Sequence, residues 1–295
     1  MSNRAASPIC DCHVHVVGPI DEFPQVQGRA YTASLATMEM LRAAASPVGV
    51  GRFVLVQPSF YGGDNSYLLR TLDGLGGHGR GVVVFESVGA SPGQIRQYAK
   101  RGVRGVRVNL YSKFRMSGTG VLADVLSRCA AQFPDESWHV EIIAPLSVLI
   151  SAEPAIAAST VPIVIDHYGL PGDVQPHSET GRRLLDLVEL PHVWVKLSAP
   201  YRMGVDPLAT APPGAWLAAL LRAAPDRCVW GSDWPHAPRR QDQTGQEAAV
   251  SYRPLDYCRV LGDFIAALGL PNIAERVLRT NPARLYGFTA TQATK

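Results

Sequence analysis

The chain has 295 residues, 46% of them hydrophobic and 18% charged, which is enough apolar material for one large core and unlike a disordered or fibrous chain. Its 28 Lys and Arg against 25 Asp and Glu leave a formal charge of +3 with no basic cluster, which argues against a nucleic-acid surface. The amino-terminal segment carries no apolar leader and no stretch approaches the ~18 apolar residues of a membrane span, so a cytoplasmic protein without a membrane partner is expected.

Short apolar runs of strand length alternate with amphipathic segments. The first strand is predicted over 9–17, followed by a helix over 35–45 with Ser34 as its cap. A strand over 53–58 leads to a helix over 66–75 capped by Asp64. A strand over 81–86 leads to a helix over 92–100, with Ser91 as cap and Pro92 at the first helical position. The pattern continues with strands at 105–110, 138–143, 162–166, 193–197 and 228–231, and helices at 120–131, 146–158, 179–188 and 215–222. A polar loop over 236–253 then leads to helices near 254–268 and 272–278 and a short one over 282–286.

Eight nearly all-apolar strands separated by helices imply a parallel sheet covered on both faces, and eight β/α repeats imply closure. The expected fold is α/β, a (β/α)8 TIM barrel forming a single domain over residues 1–295. The rival is an open doubly wound sheet, but no GxGxxG follows the first strand and the polar residues end many strands rather than one switch point. Five cysteines, at 10, 12, 129, 228 and 258, follow no zinc or disulfide spacing and read as buried reduced thiols.

A (β/α)8 barrel keeps its active site at the carboxyl ends of its strands. The first strand carries Asp11, His13 and His15, which strict alternation puts on one face. Two imidazoles two residues apart at a strand end can converge on one ion or one substrate oxygen, whereas a lone histidine reads as structural. The sixth strand ends in Asp166 and His167. The eighth ends in Asp233, which can bind a metal, serve as general base for water, or both. After the second strand, Ser59 and Tyr61 offer hydroxyls to a ligand. On the fourth, Arg107 shares a face with Asn109 and is expected inside the barrel, with Arg104 opposite. A buried guanidinium needs an anion, from a substrate carboxylate or sulfonate or from a barrel carboxylate. Glu141 on the fifth strand fits three roles: metal ligand, partner of Arg107, or rim residue. Ser198 and Arg202, at the end of the seventh strand, are further candidates, with Lys196 behind them.

The segments DCHVHVVGP, VQPSFYGGDN, GVRGVRVN, PIVIDHYGLP, WGSDWPH and TNPARLYGF resemble, in this order, the amidohydrolase-2 group of the amidohydrolase superfamily. Within it the chain is similar to the 2-pyrone-4,6-dicarboxylate lactonases and related muconolactone-type lactonases. The resemblance implies a hydrolase that opens a small anionic lactone. Water would attack the lactone carbonyl, with His13, His15 and His167 polarising it and Asp233 taking the proton. Arg107, Arg202 and Tyr31 would hold the substrate's carboxylates, and Ser59 would add a hydrogen bond. Two departures matter. Lys113 stands where the pyrone-dicarboxylate lactonases carry an arginine, and Ile143 where they carry a tyrosine. A lysine replaces bidentate recognition by a point charge. That weighs against the pyrone dicarboxylate and leaves a muconolactone or its sulfonated analogue open.

His13, His15, His167 and Asp233, with Glu141 as an extra ligand, could hold one Zn²⁺ or Mn²⁺. Pyrone-dicarboxylate lactonases work without metal and other relatives use one ion, so the cofactor stays open between none and one divalent metal. A binuclear centre is not expected, since no histidine ends the fifth strand and no bridging lysine stands on the fourth. A metal-dependent nonoxidative decarboxylase of an aromatic or related acid is the alternative, and a non-catalytic binding protein on a retained barrel is the rival from another class. The expected partner is a small anionic lactone or carboxylate, with a homo-oligomer left open.

Overall fold

The computed structural model describes residues 7–85, 90–111, 119–133, 138–204, 206–239, 242–243 and 245–288. The strands are β1 (Ile9–Val14), the short β2 (Tyr31–Ala33), β3 (Val50–Val56), β4 (Gly79–Val83), β5 (Val103–Asn109), β6 (His139–Ile143), β7 (Ile163–Ile165), β8 (Val193–Ser198), β9 (Cys228–Gly231) and β10 (Gly245–Val250). Leaving out β2 and β10, these form one eight-stranded parallel sheet in sequence order. It closes where the end of β1 meets the segment after β9. His15 N donates to Trp234 O at 2.8 Å and Asp233 N to His13 O at 2.9 Å. Gly231 permits the approach, because a Cβ there would lie 2.6 Å from His13 Cβ. The fold is therefore the expected (β/α)8 barrel, and its closure is what sets Asp233 beside His13.

The helices are α1 (Met38–Ala45), α2 (Ser66–Asp73), α3 (Pro92–Lys100), α4 (Thr119–Gln132), α5 (Leu146–Ser151), α6 (Glu153–Ala157), α7 (Glu179–Glu189), α8 (Gly214–Ala223), α9 (Tyr257–Leu268), α10 (Pro271–Glu275) and α11 (Asn281–Tyr286). Two differ from expectation in instructive ways. Thr37 caps α1 in place of Ser34, its hydroxyl accepting from Met40 N. The single helix expected over 146–158 breaks at Ala152. Pro154 has no N–H to continue the ladder, and its ring crowds the carbonyl four residues back.

Three further expectations fail for stated reasons. The polar loop over 236–253 contains β10, which pairs parallel with β2. Its residues show no apolar alternation because it belongs to the rim and not to the core. Strict alternation along β1 also breaks, with register irregularities between Asp11 and Val14. Cys10 and Cys12 join the apolar cluster inside the barrel. Asp11 turns away to α9 and accepts from Tyr257 Oη at 2.8 Å and from Ser232 N at 2.9 Å. Asp11 therefore clamps the barrel seam and does not share a face with the two histidines. Of the five cysteines, four are buried free thiols as expected, but Cys258 is exposed on α9.

The amino ends of the strands are sealed by residues 285–288. Leu285, Tyr286 and Phe288 pack on Cys10, Val54, Val82 and Val229. Arg80 on β4 donates to Tyr286 O at 2.8 Å and to Gly287 O at 2.7 Å. With that end plugged, the opposite mouth is the place where ligands can enter. Among the described residues no helix is long and apolar enough to cross a membrane.

Candidate active site

The carboxyl ends of β1, β5, β6, β7, β8 and β9 bring together a layer of buried charged residues. His13, Glu141, His167, Lys196 and Asp233 have no exposed surface, and Asp166 has 1%. Isolated charges at that depth would cost several kcal/mol each. They persist here because they pair. Lys196 Nζ donates to Glu141 Oε2 and lies 3.7 Å from Asp166 Oδ1. Arg107 Nη2 is 3.5 Å from Asp166 Oδ2, and Arg202 Nη2 is 3.2 Å from Asp233 Oδ2.

These contacts decide between roles that the sequence leaves open. Arg107 is inside the barrel as expected. It meets the barrel carboxylate of Asp166 while also lining the cavity above. Glu141 is neither its partner nor a rim residue, because its carboxylate turns to Lys196. Glu141 also stands outside the two clusters of metal-ligating groups, whose members are His13, His15 and Asp233 in one and His13, Asp166 and His167 in the other. Of the roles left open for Glu141, those of metal-ligating group and partner of Arg107 fall to Asp166.

Asp233 is the hub. Its Oδ2 accepts from Tyr201 Oη and from Arg202 Nε and Nη2 at 3.2 Å. Its Oδ1 faces His15 Nε2 at 3.3 Å and His13 Nε2 at 3.5 Å. His15 Nδ1 donates to Val56 O at 2.7 Å, which fixes its ring and turns Nε2 inward. His167 Nδ1 is 2.8 Å from Ser198 Oγ, so the Ser198 hydroxyl orients the third imidazole. Asp233 and His167 both hold positive φ, +59° and +51°. Such backbone costs on the order of 1–3 kcal/mol at a non-glycine residue and tends to persist at functional sites.

Burial alone would raise the Asp233 carboxyl, but Arg202 and His167 outweigh it and hold it well below the usual carboxylate range. Asp233 is therefore ionised at neutral pH. Burial, reinforced by Lys196 and His167, pushes His13 well below the usual imidazole range. Burial likewise brings His167 down to about 4. Both rings are neutral and can act as ligands or hydrogen-bonding groups. His13 Nε2, His167 Nε2 and Asp233 Oδ1 are buried without a hydrogen-bond partner among the described residues. His13 Nε2 and Asp233 Oδ1, with His15 Nε2 beside them, fit a single divalent ion, while His167 groups with His13 and Asp166 instead.

Above the cluster opens a cavity of about 380 Å³, lined among others by His15, Tyr31, Ser59, Arg107, Arg202 and Arg253. Among the described residues no Asp or Glu contributes to its wall. Tyr31 is on β2, and burial pushes its phenol up to about 12, so it stays a neutral donor. Ile143 also lines the cavity. Tyr61 does not; it is buried, and its hydroxyl accepts from Gly18 N at 3.0 Å, so the adjacent Phe60 meets the cavity instead. Lys113 lies outside the described residues. Sequence reasoning missed Asp166 and Tyr201 as members of the site, together with Arg253. The first two stood inside motifs already singled out. Arg253 lies in a polar stretch without periodicity, and only the β2–β10 pairing brings that stretch over the mouth.

Replacing Arg202 by Met should move the acid limb of the pH–rate profile to higher pH. The substitution removes the largest influence lowering the Asp233 carboxyl, so the base loses its proton only at higher pH. A limb that stays in place would separate Arg202 from Asp233.

The sequence profile of the amidohydrolase family matches residues 10–288. The 4-sulfomuconolactone hydrolase of Hydrogenophaga intermedia is 30% identical over 96% of this chain and 90% of its own length. The 2-pyrone-4,6-dicarboxylate hydrolase of Comamonas testosteroni is 30% identical over 94% of this chain and 89% of its own. The crystal structure of a probable 2-pyrone-4,6-dicarboxylic acid hydrolase of Acinetobacter baumannii, with citric acid bound, superposes with a TM-score of 0.76 at 22% identity, covering 96% of this chain and all of that one. With a profile match that spans nearly its whole length and relatives that align end to end, this chain belongs to the amidohydrolase family.

Proposed function

We propose that the protein hydrolyses a small anionic lactone, using Asp233 as the base that activates water. The observation that carries this reading is the pairing of an ionised, buried carboxylate with a cavity walled by guanidinium groups and, among the described residues, by no acid. Cations on the wall favour a substrate bearing carboxylate or sulfonate groups. The two curated relatives named above are both lactone hydrolases, which favours ring opening over decarboxylation.

In this reading Arg107 and Arg202 hold the substrate's anionic groups, and Tyr31 and Ser59 donate hydrogen bonds to it. Water lies against Asp233 Oδ1, the oxygen left over once Tyr201 and Arg202 have occupied Oδ2. Asp233 takes a proton as the water oxygen bonds to the lactone carbonyl carbon. The imidazoles of His13, His15 and His167 surround the carbonyl oxygen, where negative charge develops. The tetrahedral adduct then breaks its ring C–O bond, and the departing alkoxide recovers the proton from Asp233. The new carboxylic acid ionises, so one proton is released per turnover. A divalent ion held by His13, His15 and Asp233 would supply Lewis-acid polarisation of the carbonyl. We place this activity in the cytoplasm, with no nucleic-acid partner and with self-association left to measurement.

The test is a panel of anionic lactones, 4-sulfomuconolactone, muconolactone and 2-pyrone-4,6-dicarboxylate, followed by proton release, with the metal content of the purified protein measured on the same sample. We expect stoichiometric acid release from at least one sulfonated or carboxylated lactone. Carbon dioxide release from an aromatic acid, with all lactones inert, would refute the reading.

A further inference from the structure

Arg107 and Arg202 each meet a carboxylate of the barrel, Asp166 and Asp233. Arg253 lines the same cavity and has no carboxylate partner among the described residues. Its guanidinium is nevertheless held in place. Nε donates to Pro207 O at 2.8 Å and Nη1 donates to Ala237 O. Its carbon sits 4.3 Å from the centroid of the Tyr201 ring. The guanidinium carbon of Arg202 lies 5.6 Å from the same centroid. Two guanidiniums thus lie close to the ring of the tyrosine that bonds Asp233. The segment bearing Arg253 is fastened to the rim as well, since Tyr252 Oη donates to Ser34 O and Ser34 Oγ donates to Val250 O at 3.2 Å.

A half-buried cation fixed by two carbonyls and an aromatic face, with neither a hydrogen bond from Nη2 nor a paired acid among the described residues, is preorganised for an anion that arrives from outside. We infer that Arg253 is a specificity-determining residue that binds a second anionic group of the substrate, so that the site selects dianions over monoanions. The inference rests on the lactone reading for its substrates, though not for its binding test. The carbonyl contacts limit Arg253 to its remaining donors. Arg202, beside Asp233, is left for the anionic group nearer the reacting carbonyl.

The test compares the wild type with Arg253→Met and Arg253→Lys. Citrate binding is measured by calorimetry, and KM and kcat are measured for 4-sulfomuconolactone, which carries sulfonate and carboxylate, and for muconolactone, which carries a carboxylate alone. In Arg253→Met the citrate dissociation constant should rise about 10- to 100-fold, as expected for loss of a charge-assisted hydrogen bond. The KM for the sulfonated lactone, divided by that for muconolactone, should rise by a similar factor with kcat little changed. Arg253→Lys should recover part of the loss, as a point charge without the fork geometry. Unchanged citrate affinity, or equal losses on the two lactones as a merely structural residue would give, would overturn the inference. If neither lactone is turned over by the wild type while Arg253→Met still weakens citrate, the lactonase reading falls and the anion site stands.

Discussion

Asp233→Asn should lower kcat on the protein's lactone by about 10²- to 10⁴-fold, the usual contribution of a positioned proton acceptor. The amide keeps the size of the carboxylate but cannot accept a proton from water at neutral pH. It also presents an NH₂ group either to Arg202 or to the two imidazoles that now face Oδ1. KM should change less than kcat, because Arg107 and Arg202 remain to hold the anion. The backbone bond from Asp233 N to His13 O does not depend on the side chain, so the barrel seam survives and the loss is chemical. Circular dichroism and a melting curve close to wild type would establish that. A variant retaining more than about a tenth of the wild-type kcat would remove Asp233 from its assigned role.

Lys196→Met should be the most destabilising single change in the site, by about 3–5 kcal/mol, the cost of leaving a buried charge without its partner. Lys196 is fully buried, donates to Glu141 and lies 3.2 Å from His13 Nδ1. In the wild type, burial and Asp166 would raise the Glu141 carboxyl, but Lys196 outweighs them with help from His139, and the carboxyl stays lowered. A lowered carboxyl stabilises the fold above its unfolded pKa, and that stability is lost as pH falls through the folded value. Without the ammonium, burial and Asp166 dominate, Glu141 titrates higher, and the penalty shrinks as pH falls. The melting temperature at neutral pH should therefore drop by roughly 5–15 °C, and by less in mild acid. Adding Glu141→Gln should restore much of the loss, because it removes the orphaned charge. A melting temperature unchanged within about 2 °C would show that the ammonium is not holding the carboxylates together.

The architecture was legible because its signal is repeated. Eight apolar runs at regular intervals leave little choice of topology, and HxH, His167 and Asp233 stand at strand ends where a barrel puts its chemistry. What escaped depends on three-dimensional closure. Asp11 reads as a third member of the histidine face, and only the irregular register of β1 at the seam turns it toward Tyr257. Glu141 could not be assigned, because its partner Lys196 is two strands away and outwardly resembles any strand lysine. Tyr61 sits beside ligand-facing residues and yet spends its hydroxyl on Gly18 N. β10 has the composition of a loop, and its value lies in carrying Arg253 to the mouth.

The central claim is that water held by Asp233 becomes part of the product. Turnover of the active lactone in ¹⁸O-labelled water, read by mass spectrometry of the ring-opened acid, tests it most directly. One labelled oxygen in the newly formed carboxylate, with one proton released and no carbon dioxide, is the expected result. Ring opening without label in that carboxylate, or label confined to the hydroxyl left by the ring oxygen, would contradict attack of water on the carbonyl carbon.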